Sequence, residues 1–137
     1  MPKVYIADLR HTAAGIANYC MPLGIGYMKA VMDRDLPLVE CSTFAYPDIL
    51  LETLKSAPPD VLMLTNYVWN ERLSRHFTKV MKCLRPETLV VAGGPNIPLE
   101  NKRLVQFFQS WENLDVYALG EGDFLAMEIV NRFLSWL

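Results

Sequence analysis

The sequence predicts an α/β fold built on a doubly wound parallel sheet, and three observations carry that prediction. Short apolar runs that read as strands alternate five times with stretches of helical periodicity. Loops rich in glycine, proline and asparagine separate them. No linker, repeat or low-complexity tract interrupts the pattern, and 137 residues with 52% apolar and 20% charged side chains suit one domain that buries its own core. Strands that alternate with helices need right-handed crossovers, which cover both faces of a parallel sheet.

Lys3 to Leu9 forms the first strand, centred on Val4, Tyr5, Ile6 and Ala7 and ended by polar residues. Pro22 opens a helix in which Leu23, Tyr27, Met28, Val31 and Met32 recur at helical spacing, while Gly24 and Gly26 leave one side bare. Leu36 to Cys41 reads as the second strand. A helix starts at Tyr46-Pro47-Asp48, carries Ile49, Leu50 and Leu54, and cannot pass Pro58-Pro59. Asp60 to Leu64 is a buried strand. Asn70 then suits the N-cap of the strongest helix, whose stripe of Leu73, Phe77, Val80, Met81 and Leu84 opposes Arg72, Arg75, Lys79 and Lys82 until Pro86. Thr88 to Ala92 is the fourth strand, and Leu104, Val105 and Phe108 mark the helix after it. Leu114 to Leu119 is the fifth strand, followed by a helix from Asp123 to the end.

Five strands in this length fit the flavodoxin-like order 2-1-3-4-5, in three αβα layers, better than the six-stranded dinucleotide order. The ligand crevice of such a sheet lies between the first and third strands. Its walls are the loops after Leu9, Leu64, Ala92 and Leu119.

Each loop has a structural and a functional reading. Gly93-Gly94 allows either a tight turn or the close approach of a ligand, with Pro95 and Asn96 as a stiff polar rim. Glu121, between Gly120 and Gly122, gains about 0.3–1 kcal/mol from the helix end beside it, and equally offers an acceptor to a polar cofactor. Trp69 is either core or a flat wall for a flat ligand, and Thr65 offers one hydroxyl at the strand end. His11 is the one histidine in a ligand-side loop, and a solvated role suits it better than metal ligation. Gly24-Ile25-Gly26 has Lys29 where a dinucleotide fingerprint needs its third glycine.

The formal net charge of −2, with no cluster of basic residues, leaves nothing for a nucleic-acid backbone to meet. Cys20, Cys41 and Cys83 are odd in number and form no C-x-x-C pattern, as expected of reduced thiols in a cytoplasmic protein without a metal or iron–sulfur site of its own. Cys20 is expected to act as a small buried hydrophobe. No run approaches the roughly 20 apolar residues of a membrane span, and no signal-peptide pattern opens the chain.

Four segments together resemble the amino-terminal cobalamin-binding domain of B12-dependent radical S-adenosylmethionine (SAM) enzymes. They are Pro22 to Tyr27, Asp60 to Thr65 continuing through Tyr67-Val68-Trp69-Asn70, Val91 to Pro95, and Gly120 to Asp123, and the resemblance spans nearly the whole chain. It implies a cobalamin whose nucleotide tail is drawn off cobalt and inserted between sheet and helices. Leu23 and Gly24 then belong to the pocket, Thr65 takes the place of the family's serine or threonine, and Gly93, Gly94, Pro95 and Asn96 flank the tail. Gly120, Glu121 and Gly122 form the last pocket loop, and Tyr67, Val68, Trp69 and Asn70 face the lower side of the corrin.

Many B12 domains ligate cobalt through an Asp-x-His-x-x-Gly signature. Here Asp8, His11 and Gly15 miss that spacing at both steps, so His11 is not assigned as a ligand and no residue is expected on the metal. The resemblance further implies a radical SAM domain in the same full-length chain, holding a 4Fe–4S cluster and SAM. There SAM methylates the cobalamin, and a substrate radical takes up the methyl. The present sequence contains no C-x-x-x-C-x-x-C loop and is not expected to be catalytic alone. Phe133, Leu134, Trp136 and Leu137 give the last helix apolar surface suited to a continuation or partner. On this reading Gly94→Leu abolishes cobalamin uptake and spares helix content.

Three rivals remain. A flavin or nucleotide binder would use residues 12–18 as a phosphate loop, though these are poor in Ser, Thr and Gly. A receiver domain would need an Asp where Thr65 stands and a Lys after the fifth strand. A non-binding scaffold would act only through its apolar carboxyl-terminal helix.

Overall fold

The computed structural model describes residues 1–12 and 22–136. Gly15, Cys20, Leu137 and most of the candidate phosphate loop lie outside the described residues. The elements run β1 (Lys3–Ala7), α1 (Leu23–Asp35), β2 (Glu40–Phe44), α2 (Pro47–Ser56), β3 (Val61–Thr65), α3 (Glu71–Leu84), β4 (Leu89–Gly93), α4 (Asn101–Gln109), β5 (Val116–Ala118) and α5 (Gly122–Ser135). All pairings are parallel, and the order is β2-β1-β3-β4-β5. The expected doubly wound, flavodoxin-like arrangement is therefore the one observed.

Alternation along the strands divides the core into two layers. Val4, Ile6, Val61, Met63 and Val91 face α1 and α5, whose Ile25, Met32, Ala126 and Val130 complete one apolar cluster. Tyr5, Ala7, Leu62, Leu64 and Val90 point the other way, onto Leu50 and Leu54 of α2 and Phe77 and Met81 of α3. Phe107 of α4 packs edge-on against Trp111 and Tyr117, with the Arg75 guanidinium over both the Phe107 and Trp111 rings.

The second strand corrects the sequence reading. Leu36 to Val39 forms a tight turn closed by the Val39 N–H on the Leu36 carbonyl, and the strand begins only at Glu40. Leu36 and Val39 reach the core from that turn, while Leu38 stays exposed. The strand therefore runs on through Ser42 and Thr43, past the expected end at Cys41, where an edge position tolerates polar side chains. β1 is also shorter than expected, ending at Ala7, although the Asp8 and Arg10 N–H groups still bond the carbonyls of Phe44 and Ala45. At the far end, Phe133 and Leu134 pack on their own domain's core, whereas Trp136 is 88% exposed.

Cys41 is buried beside Met32, and burial pushes its thiol up to about 11 from an ordinary value of 9.0. Between those values the folded state keeps a proton that the unfolded state has lost, so stability falls as pH rises. Burial raises Tyr5 and Tyr117 as well, and they act in the same direction at higher pH. Urea melts from pH 8 to 11 are expected to show a loss on the order of 2 kcal/mol from Cys41. Cys41→Val removes that part of the slope; an unchanged slope would contradict the assignment.

Candidate functional site

The strand order reverses between β1 and β3, so the crossovers leaving these strands go to opposite faces and their carboxyl ends stand apart. A cavity of about 430 Å³ opens there and runs down between the sheet and the α1/α5 layer. Ile6, Met63, Val91 and Ala118 form its sheet side. Gly24, Ile25 and Met28 of α1 and Gly122, Asp123 and Ala126 of α5 form its helix side. The mouth is polar, with Asp8, Thr65, Tyr67, Gly93, Gly94, Pro95 and Gly120 around it. The volume is within the roughly 300–1,000 Å³ range of small-molecule sites.

Two hydrogen-bonded groups build the mouth. In the first, Thr65 Oγ1 donates to Asp8 Oδ1 at 2.8 Å, and Asn70 Nδ2 donates to Thr65 Oγ1 at 2.9 Å and to Asp8 Oδ1 at 3.2 Å. Asn70 Oδ1 accepts the Tyr67 N–H at 2.9 Å. In the second, the Asn66 N–H donates to the Gly93 carbonyl at 2.6 Å, Asn66 Nδ2 to the Asn96 carbonyl at 2.7 Å, and the Tyr117 hydroxyl to the Gly94 carbonyl at 2.8 Å. Asn96 Nδ2 reaches Glu71 at 2.7 Å. The loop after β4 is thus tied along its length to β3, β5 and the start of α3.

Glycine serves different purposes at different points. Gly94 has φ of +132°, and a Cβ there would lie 2.6 Å from the Asn66 carbonyl oxygen, so the backbone of its own fold already requires glycine. Gly24 is the opposite case. A Cβ at Gly24, an exposed residue on the rim of the cavity, would meet nothing within 4 Å.

Among the residues anticipated as cofactor contacts, Gly24, Thr65, Tyr67, Gly93, Gly94, Pro95, Gly120 and Gly122 line the cavity. Leu23, Val68, Trp69, Asn70, Asn96 and Glu121 do not. Val68 and Trp69 are 81% and 63% exposed beside the mouth, and the Trp69 ring stacks on Tyr67 at 4.4 Å with an interplanar angle of 5°. Trp69 is therefore not core. Asn70 is a correction, because it is fully buried and cannot face a corrin; its amide holds the loop from below and gives no side-chain cap to α3. Asn96 likewise braces the loop after β4. Leu23 and Glu121 are exposed at the starts of α1 and α5.

The sequence reading missed Asp8 as a lining residue and the whole apolar floor. Ile6 and Met63 were marked only as strand interior, although alternation puts them on the α1/α5 face. Met28, one helical turn after Gly24, was assigned to packing. His11 is exposed, and its Nε2 donates to the Trp69 carbonyl at 2.7 Å. Among the described residues, neither α1 nor α5 receives a side-chain N-cap, and the first turns of both helices contribute residues to the cavity.

No family model matches the chain. Among curated proteins it is 33% identical over 120 residues to the cobalamin-dependent radical SAM methyltransferase TokK of Streptomyces tokunonensis. It is 31% identical over 120 residues to the 2-(S-pantetheinyl)-carbapenam-3-carboxylate methyltransferase of Streptantibioticus cattleyicolor. Each alignment covers 84% of this chain and 17% of the relative, so the chain spans about a sixth of the length of the proteins it matches. Among solved structures, a cobalamin-binding protein from Desulfitobacterium hafniense superposes with a TM-score of 0.62 over 96% of this chain and 58% of its own, at 15% identity. The CheY-like protein tadZ from Pseudomonas aeruginosa gives 0.57 over 96% and 93%, at 16% identity. At such identities these two structures speak for the fold alone. Over most of its length, the chain is thus similar in sequence to one segment of these methyltransferases, of which TokK is a cobalamin-dependent radical SAM enzyme.

Proposed function

We propose that this chain binds cobalamin with the nucleotide tail drawn off cobalt and housed between the sheet and the α1/α5 layer, for a radical SAM methyltransferase. The observation that carries the proposal is the cavity below the switch point, which runs between the sheet and the α1/α5 layer with Gly24 and Gly122 on its helix side. Ile6, Ile25, Met28, Met63 and Val91 suit a flat apolar base. The first turns of α1 and α5, which line the cavity through Gly24, Gly122 and Asp123, suit the phosphodiester of the tail, since backbone N–H groups and the helix dipole favour an anion there. The exposed Val68 and Trp69 suit the lower side of the corrin, whose bulk lies outside the cavity. The hydrogen bond from His11 to the Trp69 carbonyl supports a cobalt without a histidine ligand from this loop.

When bound, the cofactor supplies methyl-transfer chemistry at cobalt. This chain's residues bind and orient it. The greater length of the relatives supports a partner domain in the same full-length protein, holding the 4Fe–4S cluster and SAM. We place the protein in the cytoplasm, without a nucleic-acid or membrane partner. The net charge of −2 supports this, as does the lack, among the described residues, of a helix long and apolar enough to cross a membrane.

The test is to incubate the purified chain with hydroxocobalamin and, separately, flavin mononucleotide, and to pass each over a desalting column. Cobalamin is expected to co-elute. After reduction to cob(II)alamin, its EPR spectrum is expected to lack nitrogen superhyperfine splitting. Retention of the flavin alone would overturn the proposal, and a nitrogen-split spectrum would overturn its account of the cobalt ligand.

A further inference from the structure

We propose that Asn70 is the positioning residue of this site, its carboxamide holding the Asp8–Thr65 pair and the Tyr67–Trp69 ring pair in one arrangement. Asn70 precedes α3, where an asparagine ordinarily caps its own helix; here the side chain makes no such bond and reaches back toward the sheet. Its oxygen takes the Tyr67 N–H, which fixes the turn that carries the two stacked rings. Its nitrogen donates to Thr65 at the end of β3 and to Asp8 beyond the end of β1, joining segments 62 residues apart.

The polarity of the triad is determined. Asn70 is fully buried, so its donors must be spent on protein acceptors. Asp8 Oδ1 receives both Thr65 and Asn70, and Asp8 Oδ2 makes no hydrogen bond among the described residues. Because Asp8 lines the mouth, that oxygen is left to accept an O–H or N–H group of the ligand. Cobalamin carries both donors, in its ribose hydroxyl and its amide side chains. Loss of the amide donor would set two carboxylates against each other across Thr65. Of the other charged groups near the turn, Glu71 pairs with Arg75, and His11 bonds the Trp69 carbonyl.

The inference rests on the cobalamin reading for its ligand, and its test separates the two. In Asn70→Asp the donor is lost and the acceptor kept, so affinity for hydroxocobalamin is expected to fall by at least about tenfold at pH 7.5. Asp8→Asn alone still accepts from both partners, but it turns an N–H toward the ligand in place of Oδ2 and is itself expected to lose about tenfold. The double variant exchanges the two ends of the triad, with Thr65 accepting from residue 8 and donating to residue 70. It is expected to return to within about threefold of Asp8→Asn. Near-UV circular dichroism, with Trp69→Phe identifying the contribution of the ring pair, is expected to follow the same cycle without ligand. Equal losses from Asn70→Asp in both backgrounds, or no change in either readout, overturn the inference. Failure of the unaltered chain to retain cobalamin refutes the cobalamin reading, while the dichroism cycle still decides the role of Asn70.

Discussion

Replacing Gly24 with phenylalanine is expected to weaken cobalamin binding by at least about a hundredfold while leaving the fold as stable as before, or slightly more so. A glycine within a helix costs roughly 0.5–1 kcal/mol relative to alanine, so a side chain at this helical position improves α1. It meets nothing nearby, because its Cβ would enter open space bordering the cavity. A phenyl ring there, one turn before Met28, is expected to reach into the cavity and compete for the volume assigned to the nucleotide tail. Gly24→Ala gives the helix its benefit and occupies little of the cavity, so it separates the two effects. Equilibrium dialysis and thermal melts of the three proteins provide the measurement. A phenylalanine variant that binds as tightly as the parent would place the tail elsewhere.

The second large effect is structural. Gly94→Ala is expected to destabilise the chain by about 3 kcal/mol or more, which lowers the melting temperature of a domain this size by roughly 10–15 °C. The positive φ accounts for part of that cost, and the approach of the new Cβ to 2.6 Å from the Asn66 carbonyl oxygen for the rest. Gly120 provides the control, since its φ is +95° but its Cβ direction is open. Gly120→Ala is therefore expected to cost only about 1 kcal/mol. Urea denaturation of both variants checks the contrast, and equal costs would show that the Asn66 contact is unimportant. Gly94→Leu is consequently not a clean probe of ligand contact. It would disturb the loop held by Asn66, Asn96 and Tyr117 whether or not a ligand touches it.

What was legible in the sequence was whatever depends on period and punctuation. Val4-Tyr5-Ile6-Ala7 and Val61-Leu62-Met63-Leu64 are apolar at every position because both faces of a central parallel strand are buried, and such runs are hard to mistake. The edge strand β2 was misplaced because Leu36 and Val39 are apolar for a different reason, reaching the core from a turn. At the site, glycine and threonine at strand ends drew attention to the mouth. The floor was harder to see, since Ile6, Met63 and Val91 look like any core residue and only the fold shows that they line the cavity. Asn70 was noticed for the right position and the wrong partner. A cap residue and a buried cross-strand tie have the same local sequence, and only the fold brings Asp8 within reach.

The tether on the loop after β4 bears on the speed of uptake. Both Asn66 side-chain donor contacts, the Tyr117 hydroxyl and the Asn96 amide are engaged within the protein itself, so the rim is set before any ligand arrives. Little ordering entropy then falls on this part of the domain during association. If cobalamin binds as proposed, the slow event shifts to the ligand, whose tail would have to leave its own metal before entering a fixed aperture. Capture then saturates at a rate set by the incoming molecule, and mutations that stiffen this rim further change residence time more than they change arrival.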